Sequence, residues 1–351
     1  MKLLLRIFIG LIILIALYLL TVIVFATLTD YRPAPVTPIE VEGNAEESVI
    51  QDSTITFLTW NIGYCGLGEE MDFFYDGGKN IHPKPELLGK YTRGILNFLA
   101  TADSIDFFLL QEIDKRSRRS KFQDETEMVR SSLPGKAACF GTNYKVQFVP
   151  IPLLHPLGKI EMGQMTLSEY QPITATRHAY YSAYEWPKRL FMLDRCFILS
   201  RYSLPNNKNL VVLNTHNSAY DKDGKLRKTE MPLIVNIMQE EYEKGNYVVA
   251  GGDWNQNPPD YNTASLKKYF PAVAREIMPD SLLSSGWKVC YDKYLPTNRE
   301  IDAPLTPGKT EVTIIDFFIL SPNIEMKMIE VKRQDFQFSD HEPVFMKVKL
   351  L

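Results

Sequence analysis

The first feature of the hydrophobic pattern is an uninterrupted apolar run near the N-terminus. It extends from Ile7 to Leu28 without a charged residue, and Lys2 and Arg6 precede it. A helix of that length crosses a hydrocarbon core of about 30 Å. A cleaved signal peptide is the alternative, but its apolar region is usually only about 7–15 residues long. The pattern therefore favours an uncleaved membrane anchor over residues 1–29.

The next segment, residues 30–53, has no apolar periodicity and combines prolines with several acidic residues. A segment of this composition buries too little apolar surface to fold alone, so it is predicted to be an extended linker. Lys2 and Arg6 on the short side of the apolar run favour an N-terminus inside the cell. The remaining domain would then lie outside the cytoplasm.

From residue 54 to residue 351, short apolar runs alternate with turn signals and helical patterns. The runs rich in branched and aromatic residues predict strands; they are ITFLTWNI, DFFLLQE, FILSRY, NLVVLNTH, NYVVAGGDWN, VTIIDFFIL and PVFMKVKL. Helical spacing occurs in PELLGKYTRGILNFLATA and in KLRKTEMPLIVNIMQEEYEK, where Pro232 marks a kink or a helix start. The alternation predicts one mixed α/β domain.

One stretch, from about Val149 to Lys188, has no regular pattern and contains the polar and aromatic string RHAYYSAYEWP. Long irregular insertions on a rigid scaffold often border active sites. The alternative is a surface loop whose aromatic rings pack on the domain.

Composition narrows the class of protein. With 45% hydrophobic and 23% charged residues the chain is typical of a globular protein, and its net charge of −3 is not that of a protein that coats nucleic acid. Four widely spaced cysteines without a CxxC pair argue against a structural zinc site. Disulfides and buried free thiols both remain open.

Polar side chains recur where the apolar strands end. Burying a carboxylate beside Phe and Leu costs free energy unless a cation or hydrogen bonds compensate it. One such residue has an ordinary explanation as a turn former or a helix cap, but a whole set is better explained by a shared site. The set is Asn61, Glu112, His216, Asp253, Asn255, Asp316, Asp340 and His341.

These residue types suit metal-assisted attack on phosphorus. A hard cation such as Mg²⁺ prefers carboxylate and water ligands and leaves positions for phosphate oxygens. An imidazole oriented by a carboxylate takes a proton from water. Asn side chains can orient phosphate oxygens without adding negative charge.

The order Asn, Glu, His, Asp-x-Asn, Asp, Asp-His resembles the endonuclease/exonuclease/phosphatase superfamily, from about Ile55 to the C-terminus. The resemblance implies an α/β (α+β) fold, a four-layered α/β/β/α sandwich of DNase I-like type, with the site at one edge of two facing sheets. It also implies Mg²⁺ as the cofactor, with Mn²⁺ or Ca²⁺ as substitutes.

The resemblance further implies a role for each residue. Glu112 would be the principal metal ligand, with Asn61 and Asp340 nearby. Asp253 and Asn255 would position the nucleophile or the phosphate. His341 would be the general base, oriented by Asp316, with Asp253 as the alternative base; His216 would stabilise the transition state or assist the leaving group.

Other basic residues are weaker candidates. Arg195 precedes the NTH strand and its fork could hold phosphate, although a structural ion pair explains it equally well. Arg177 and His178 could reach the site from the irregular stretch, with a surface position as the alternative for His178. The basic run Lys115 to Lys121 could meet a nucleic-acid backbone or anionic headgroups, but a solvated helix start is favoured.

Departures from family patterns narrow the subclass. Gly63 stands where some apurinic endonucleases of the superfamily carry an Asp, and the NTH motif is more similar to DNase I and sphingomyelinases. The strings GGDWNQNP and TEVTIIDFF lack the signatures of inositol polyphosphate 5-phosphatases.

The prediction is a membrane-anchored, extracytoplasmic, Mg²⁺-dependent phosphodiesterase. Its substrate would be a lipid headgroup, a nucleic acid or an inositol phosphate, and no protein partner is predicted. The alternatives are a nuclease for extracellular nucleic acid, a phosphomonoesterase, and a non-catalytic binding module on the same fold.

Overall fold

The computed structural model describes residues 1–180, 184–219, 221, 224–266 and 271–351. Its helices are α1 (Lys2–Leu28), α2 (Pro85–Thr101), α3 (Glu125–Ser132) and α4 (Arg227–Glu243). Two seven-stranded sheets form the centre of the domain, and each contains a parallel pair among antiparallel neighbours.

The first sheet has the spatial order β15 (Ile324–Val331), β16 (Val344–Leu350), β3 (Thr54–Asn61), β4 (Phe107–Asp114), β6 (Gly158–Ser168), β5 (Ala137–Val149), β2 (Val41–Glu42). The second sheet has the order β1 (Val36–Pro38), β7 (Thr174–Ala179), β8 (Cys196–Ser203), β9 (Asn209–His216), β10 (Tyr247–Asp253), β14 (Asp316–Leu320), β11 (Lys288–Cys290). A short ribbon pairs β12 (Asn298–Arg299) with β13 (Val312–Thr313).

The central strands are apolar on both faces because each sheet is covered by the other sheet on one face and by a helix on the other. Alternate residues of a strand point to opposite faces, so Phe57 of β3 and Phe107 of β4 face the other sheet, where their rings stack with centroids 4.9 Å apart. Phe318 of the second sheet packs against Phe57 from across the interface, edge to face. Burial of each such ring stabilises the fold by about 1.5–3 kcal/mol.

The outer faces of the two sheets bind helices. Leu58 and Trp60 of β3 point away from the second sheet and pack with Ile95 and Leu99 of α2. On the other side, Ile234 of α4 packs with residues of β9 and β10 that include Val211, Leu213, Val248 and Ala250. The layers are therefore helix, sheet, sheet and helix, which confirms the predicted four-layered sandwich.

The prediction of an irregular stretch between Val149 and Lys188 is wrong for its middle part. That part contains all of β6 and all of β7, so it is paired sheet rather than an insertion. Strand β6 carries Gly, Lys, Glu and Gln among its apolar residues, which hides the two-residue period. Tyr181, Ser182 and Ala183 of the aromatic string lie outside the described residues.

The proline-rich segment 30–53 is extended and docks on both sheets. Its residues Val36–Pro38 form β1 against β7, and Val41–Glu42 form β2 against β5. Ile50 is buried, and its N–H donates to Ser203 O. Periodicity missed these contacts because each strand is only two or three residues long.

The N-terminal helix α1 is long and apolar enough to cross a membrane, and most of its side chains are exposed. The four cysteines, Cys65, Cys139, Cys196 and Cys290, are buried free thiols.

Candidate active site

The strand pairing collects the predicted polar residues at one edge of the two sheets. Strands β3 and β4 are parallel, so Asn61 at the end of β3 and Glu112 near the end of β4 lie at the same edge of the sheet. Strands β9 and β10 are also parallel, and His216 lies opposite Asp253. Strand β14 runs the other way and begins with Asp316, which also pairs with Asp253.

Glu112 is directed into the site by an irregularity in its strand. The register of β4 with β6 shifts between Leu110 and Ile113, which is the signature of a β-bulge. Glu112 itself has φ of 53°, in the left-handed region that a residue with a Cβ rarely adopts. Such strain persists only where the surroundings hold it, and it concentrates at functional sites.

Asp340 and His341 occupy the turn before β16, as the sequence predicts. The indole of Trp60 donates to His341 O at 2.9 Å, and the Ser339 hydroxyl donates to Asn61 O at 2.8 Å. These bonds fasten the turn to the end of β3. Both neighbouring side chains can then face the site, which a regular strand would prevent.

His341 and Asp316 form a hydrogen-bonded dyad. Nδ1 of His341 lies 2.8 Å from Asp316 Oδ2, and both side chains are buried. Burial raises the pKa of Asp316 to about 6, although the neighbouring His341 opposes the rise. Burial alone would lower the pKa of His341, but Asp316, Asp253 and Asp340 raise it to about 10.

The other ring nitrogen of His341 faces the remaining site residues. His341 Nε2 lies 3.7 Å from Asp253 Oδ2 and 3.9 Å from Asp340 Oδ2. Asn61 Nδ2 lies between the acids, 3.3 Å from Glu112 Oε1 and 3.1 Å from Asp253 Oδ2. The predicted residues from both sheets thus converge within a few ångströms.

His216 completes the group from the second sheet. Its Nε2 lies 3.4 Å from Asp253 Oδ2 and 3.8 Å from Glu112 Oε1. Burial, with Arg195 and His341 nearby, lowers the pKa of His216 well below its ordinary value. A neutral imidazole of this kind can exchange hydrogen bonds without adding charge. Asn255 is adjacent, and its N–H donates to Asp253 Oδ1 at 2.9 Å.

The carboxylates fit a divalent cation. Burial raises the pKa of Glu112 and Asp340 raises it further, while Arg119 and Arg195 act in the opposite sense. Mutually repelling, buried carboxylates are stabilised by a cation with oxygen ligands. Asp253, Asp316 and His341 also offer ligand atoms within 4.8 Å of one another. In that trio, however, His341 Nδ1 is already engaged by Asp316, so the Glu112 side is the better cation site.

The basic candidates Arg177, His178 and Arg195 lie in different places, and Arg195 is the one of these three that lines the cavity. Arg195 is buried and lines the cavity at the site, and its Nη1 has no hydrogen-bond partner among the described residues. Arg177 instead donates to Thr142 O and Asp194 O, both at 2.8 Å. His178 stacks on Phe197 with ring centroids 4.8 Å apart. Neither Arg177 nor His178 lines the cavity, so we do not include them in the proposed site.

Two residues at the site were missed from the sequence. Asn298 Nδ2 lies 3.1 Å from His341 Nε2, and it comes from the short ribbon strand β12. Arg119, in the basic run predicted to be a solvated helix start, is instead buried in a turn segment and lines the cavity. Its guanidinium pairs with Asp114 at 2.9 Å and lies 3.5 Å from the centre of the Tyr64 ring. The shielding of Arg119 depends on tertiary packing and has no local signal.

The site opens into a cavity of about 660 Å³. Its walls include Glu112, His216, Asp253, Asp340 and His341. A volume of this size accommodates a small-molecule substrate.

Known proteins resemble this chain in their fold and not in their sequence. No protein-family model and no curated protein matches the sequence. Among solved structures, an endonuclease/exonuclease/phosphatase from Beutenbergia cavernae is 14% identical, with a TM-score of 0.54 over 85% of this chain and 72% of that one. The chain has the endonuclease/exonuclease/phosphatase fold.

Other proteins with the endonuclease/exonuclease/phosphatase fold differ in their described activities. ANGEL2, described as a 2′,3′-cyclic phosphatase, is 12% identical with a TM-score of 0.56 over 90% of this chain and 98% of its own. Zebrafish (D. rerio) TDP2, solved with a single-strand DNA product, is 12% identical with a TM-score of 0.54 over 85% of this chain and 100% of its own. Identities this low establish the shared fold, and the site must supply any statement about the substrate.

Proposed function

We propose that the protein is a divalent-metal-dependent phosphodiesterase. The observation that carries the proposal is the buried dyad of His341 and Asp316, which faces the carboxylates of Glu112, Asp253 and Asp340 in one cavity. A non-catalytic binding module has no need for an oriented base beside a cluster of carboxylates, so the geometry favours an enzyme.

Glu112, Asn61 and Asp340 would hold the metal ion. Mg²⁺ is the proposed cofactor, with Mn²⁺ or Ca²⁺ as substitutes, because the donors are hard oxygen atoms. When bound, the ion would neutralise charge that develops on phosphate oxygens during the reaction. Its charge would also offset the acids that raise the pKa of His341.

The protein residues would activate water and hold the phosphate. His341 would take the proton of the attacking water through Nε2, while Asp316 orients the ring through Nδ1. Asp253 and Asn255 would position the nucleophile, and His216 would donate to the phosphoryl group or to the leaving oxygen. The unpartnered Nη1 of Arg195 is available for a phosphate oxygen.

The proposed cellular location of the enzyme rests on helix α1. A 27-residue apolar helix at the N-terminus would anchor the enzyme in a membrane. With Lys2 and Arg6 on the inner side, residues 54–351 would act outside the cytoplasm.

The test is hydrolysis of bis(4-nitrophenyl) phosphate with Mg²⁺ and after chelation with EDTA. We expect Glu112→Ala and His341→Ala to lower kcat by about 100-fold or more, because each removes a group that acts in the transition state. Glu240→Ala, on the exposed face of α4, is the matched control. The proposal would be rejected if both site variants kept full activity, or if EDTA did not lower the activity of the wild type.

A further inference from the structure

The active-site cavity has two chemically different ends. One end contains the proposed catalytic residues. The other is apolar, and three of its wall residues, Val149, Ile151 and Leu157, belong to the end of β5 and the loop before β6. Leu19, Val22 and Ile23 of α1 also line the cavity. The helix predicted to anchor the protein thus also builds the site.

One face of α1 makes this contact. Leu19, Val22, Ile23 and Ala26 follow the i, i+3, i+4, i+7 spacing of a single helical face. Ala26 is buried and Val22 and Ile23 are half-buried. Leu19, one turn further into the helix, is 55% exposed, and Leu20, on another face, is 60% exposed. Asp30, just beyond the helix, pairs with Arg189 at 3.2 Å. The end of α1 is therefore fastened beside the apolar end of the cavity.

The length of α1 sets the depth of that cavity in a bilayer. A helix rises about 1.5 Å per residue, so about 20 residues cross the hydrocarbon core. Counted from either Lys2 or Ile7, the outer boundary of the core falls near Val22 to Ala26. The apolar end of the cavity then lies at the boundary between lipid chains and headgroups.

The surface around the cavity is also suited to a bilayer. In the loop between β5 and β6, Ile151 is 51% exposed, Leu153 is 74% exposed and Leu154 is 89% exposed. Trp186, 61% exposed, is close in sequence to the cavity residue Lys188. Exposed apolar clusters mark interaction surfaces, and Trp is enriched where membrane meets water.

We propose that the substrate is a membrane-borne amphiphilic phosphodiester. Its phosphate would lie between Glu112 and His341, and its hydrocarbon chain would lie against α1 and the loop between β5 and β6. Water would add to phosphorus, the P–O bond to the leaving alcohol would break, and the alcohol oxygen would take a proton, which yields a phosphomonoester and an alcohol. This inference rests on the proposed phosphodiesterase function and specifies its substrate class.

The apolar wall is matched to a hydrocarbon chain rather than to a second phosphate. No cation belongs to the wall formed by α1 and by Val149 to Leu157; the cations of the cavity, Arg119, Lys188, Arg195, Arg275 and Arg299, lie elsewhere in its lining. Each methylene that the same wall removes from water gives about a fourfold gain in affinity. A chain that moves there from the bilayer exchanges one apolar environment for another, so the wall accepts it without a desolvation cost.

The experiment compares 4-nitrophenyl methyl phosphate with 4-nitrophenyl decyl phosphate, which share one leaving group. The full chain is reconstituted with Mg²⁺ in vesicles of digalactosyl diacylglycerol, a lipid without a phosphoester. The measured quantity is the ratio of kcat/KM for the decyl substrate to kcat/KM for the methyl substrate. Partitioning of the decyl substrate into the vesicles is the same for every variant, so differences between variants report on the cavity.

Two pairs of variants test the apolar wall. Val22→Trp fills the cavity from α1, and Leu20→Trp places the same ring on an exposed face of the helix. Ile151→Trp and Leu153→Trp form the equivalent pair in the loop: of these two residues, Ile151 lines the cavity and Leu153 does not. We expect V22W and I151W each to lower the ratio at least tenfold, and L20W and L153W to keep the wild-type ratio. Unfolding midpoints of all four variants verify that they fold.

The outcomes separate this inference from the proposed function. If the wild type hydrolyses both substrates and neither cavity variant changes the ratio, the lipid-chain assignment is overturned and the phosphodiesterase stands. The same conclusion follows if single-stranded DNA is cleaved faster than the decyl substrate. If the wild type hydrolyses neither phosphodiester, both proposals are overturned.

Discussion

At the scale of single residues, the site depends on side chains held against their ordinary preferences. Glu112 has a positive φ in a bulged strand, and Asn255 has φ of 52° just after β10. Asn tolerates this conformation because its short side chain bonds locally, but Glu has no such compensation. At Glu112 the strain occurs where a carboxylate leaves the plane of the sheet.

The dyad makes a prediction at the same scale. Asp316→Asn should lower the pKa of His341 from its raised value, because the variant removes the negative charge beside Nδ1. It should also lower kcat about 100-fold or more, since the ring loses the carboxylate that fixes its tautomer and stabilises its charged form. An NMR titration of His341 in the metal-free protein measures the first effect, and hydrolysis of bis(4-nitrophenyl) phosphate measures the second.

Asp280→Asn, at an exposed position, is the control for the loss of one carboxylate. A His341 titration that is the same in D316N and wild type would show that Asp316 does not set the charge of the ring. Loss of activity without any change in that titration would point to a structural role instead.

At the scale of elements, α4 is joined to the second sheet by a buried acid. Glu241 accepts from Arg201 Nη2 at 2.8 Å, from Lys244 Nζ at 2.7 Å and from Asn246 Nδ2 at 2.8 Å. Burial alone would raise the pKa of Glu241, but these bonds, led by that from Arg201, lower it to about 2. The helix, strand β8 and the turn after the helix therefore share one ionic contact.

Glu241→Gln tests that contact through its pH dependence. A depressed carboxyl pKa stabilises the folded state above the ordinary carboxyl range, and this stabilisation disappears as the pH falls through the folded-state pKa. We expect E241Q to lower the free energy of unfolding by about 2–3 kcal/mol at pH 7 and by much less near pH 2. Urea unfolding at several pH values is the measurement, and the exposed neighbour variant Glu240→Gln is the control. A pH-independent difference would assign the effect to packing.

At the scale of the whole molecule, the segment 30–53 connects parts that are distant in sequence. Strand β1 extends the second sheet and β2 extends the first, so one short segment covers an edge of each. Open sheet edges are sites of unwanted pairing, and edge strands as short as β1 and β2 leave few unpaired backbone groups for it. The same segment continues from α1, which fixes where the helix leaves the domain.

A comparison of two shortened chains measures this contribution. A chain that begins at residue 33 keeps both edge strands and Ile50, whereas one that begins at residue 54 loses them. We expect the shorter chain to be less stable by about 2–5 kcal/mol, from the lost burial of apolar side chains and the lost backbone hydrogen bonds. Equal unfolding free energies would show that the segment adds nothing to the domain and serves only as a tether.

The sequence by itself determined the features that local burial records. Strands β3, β4, β9 and β10 are visible as continuous apolar runs, because both faces of each sheet are covered. Helices α2 and α4 are visible in the helical spacing of their apolar residues, because one face of each helix packs on a sheet. The polar residues Asn61, His216 and Asp253 stand out because they end those apolar runs. A mixed α/β domain and most of the candidate site follow from these signals, whereas the four-layered sandwich was implied by the resemblance of the residue order to the endonuclease/exonuclease/phosphatase superfamily.

Only the tertiary structure decided the features that depend on register and on contacts between distant segments. The bulge at Glu112 is set by the pairing of β4 with β6, and Asn298 reaches His341 from a two-residue strand too short to show a period. Arg119 is shielded by Tyr64 and Asp114 rather than by its own neighbours in the basic run. The face of α1 that lines the cavity is as apolar as the faces that do not, because a helix suited to a bilayer carries no polar stripe to distinguish a protein contact from a lipid contact.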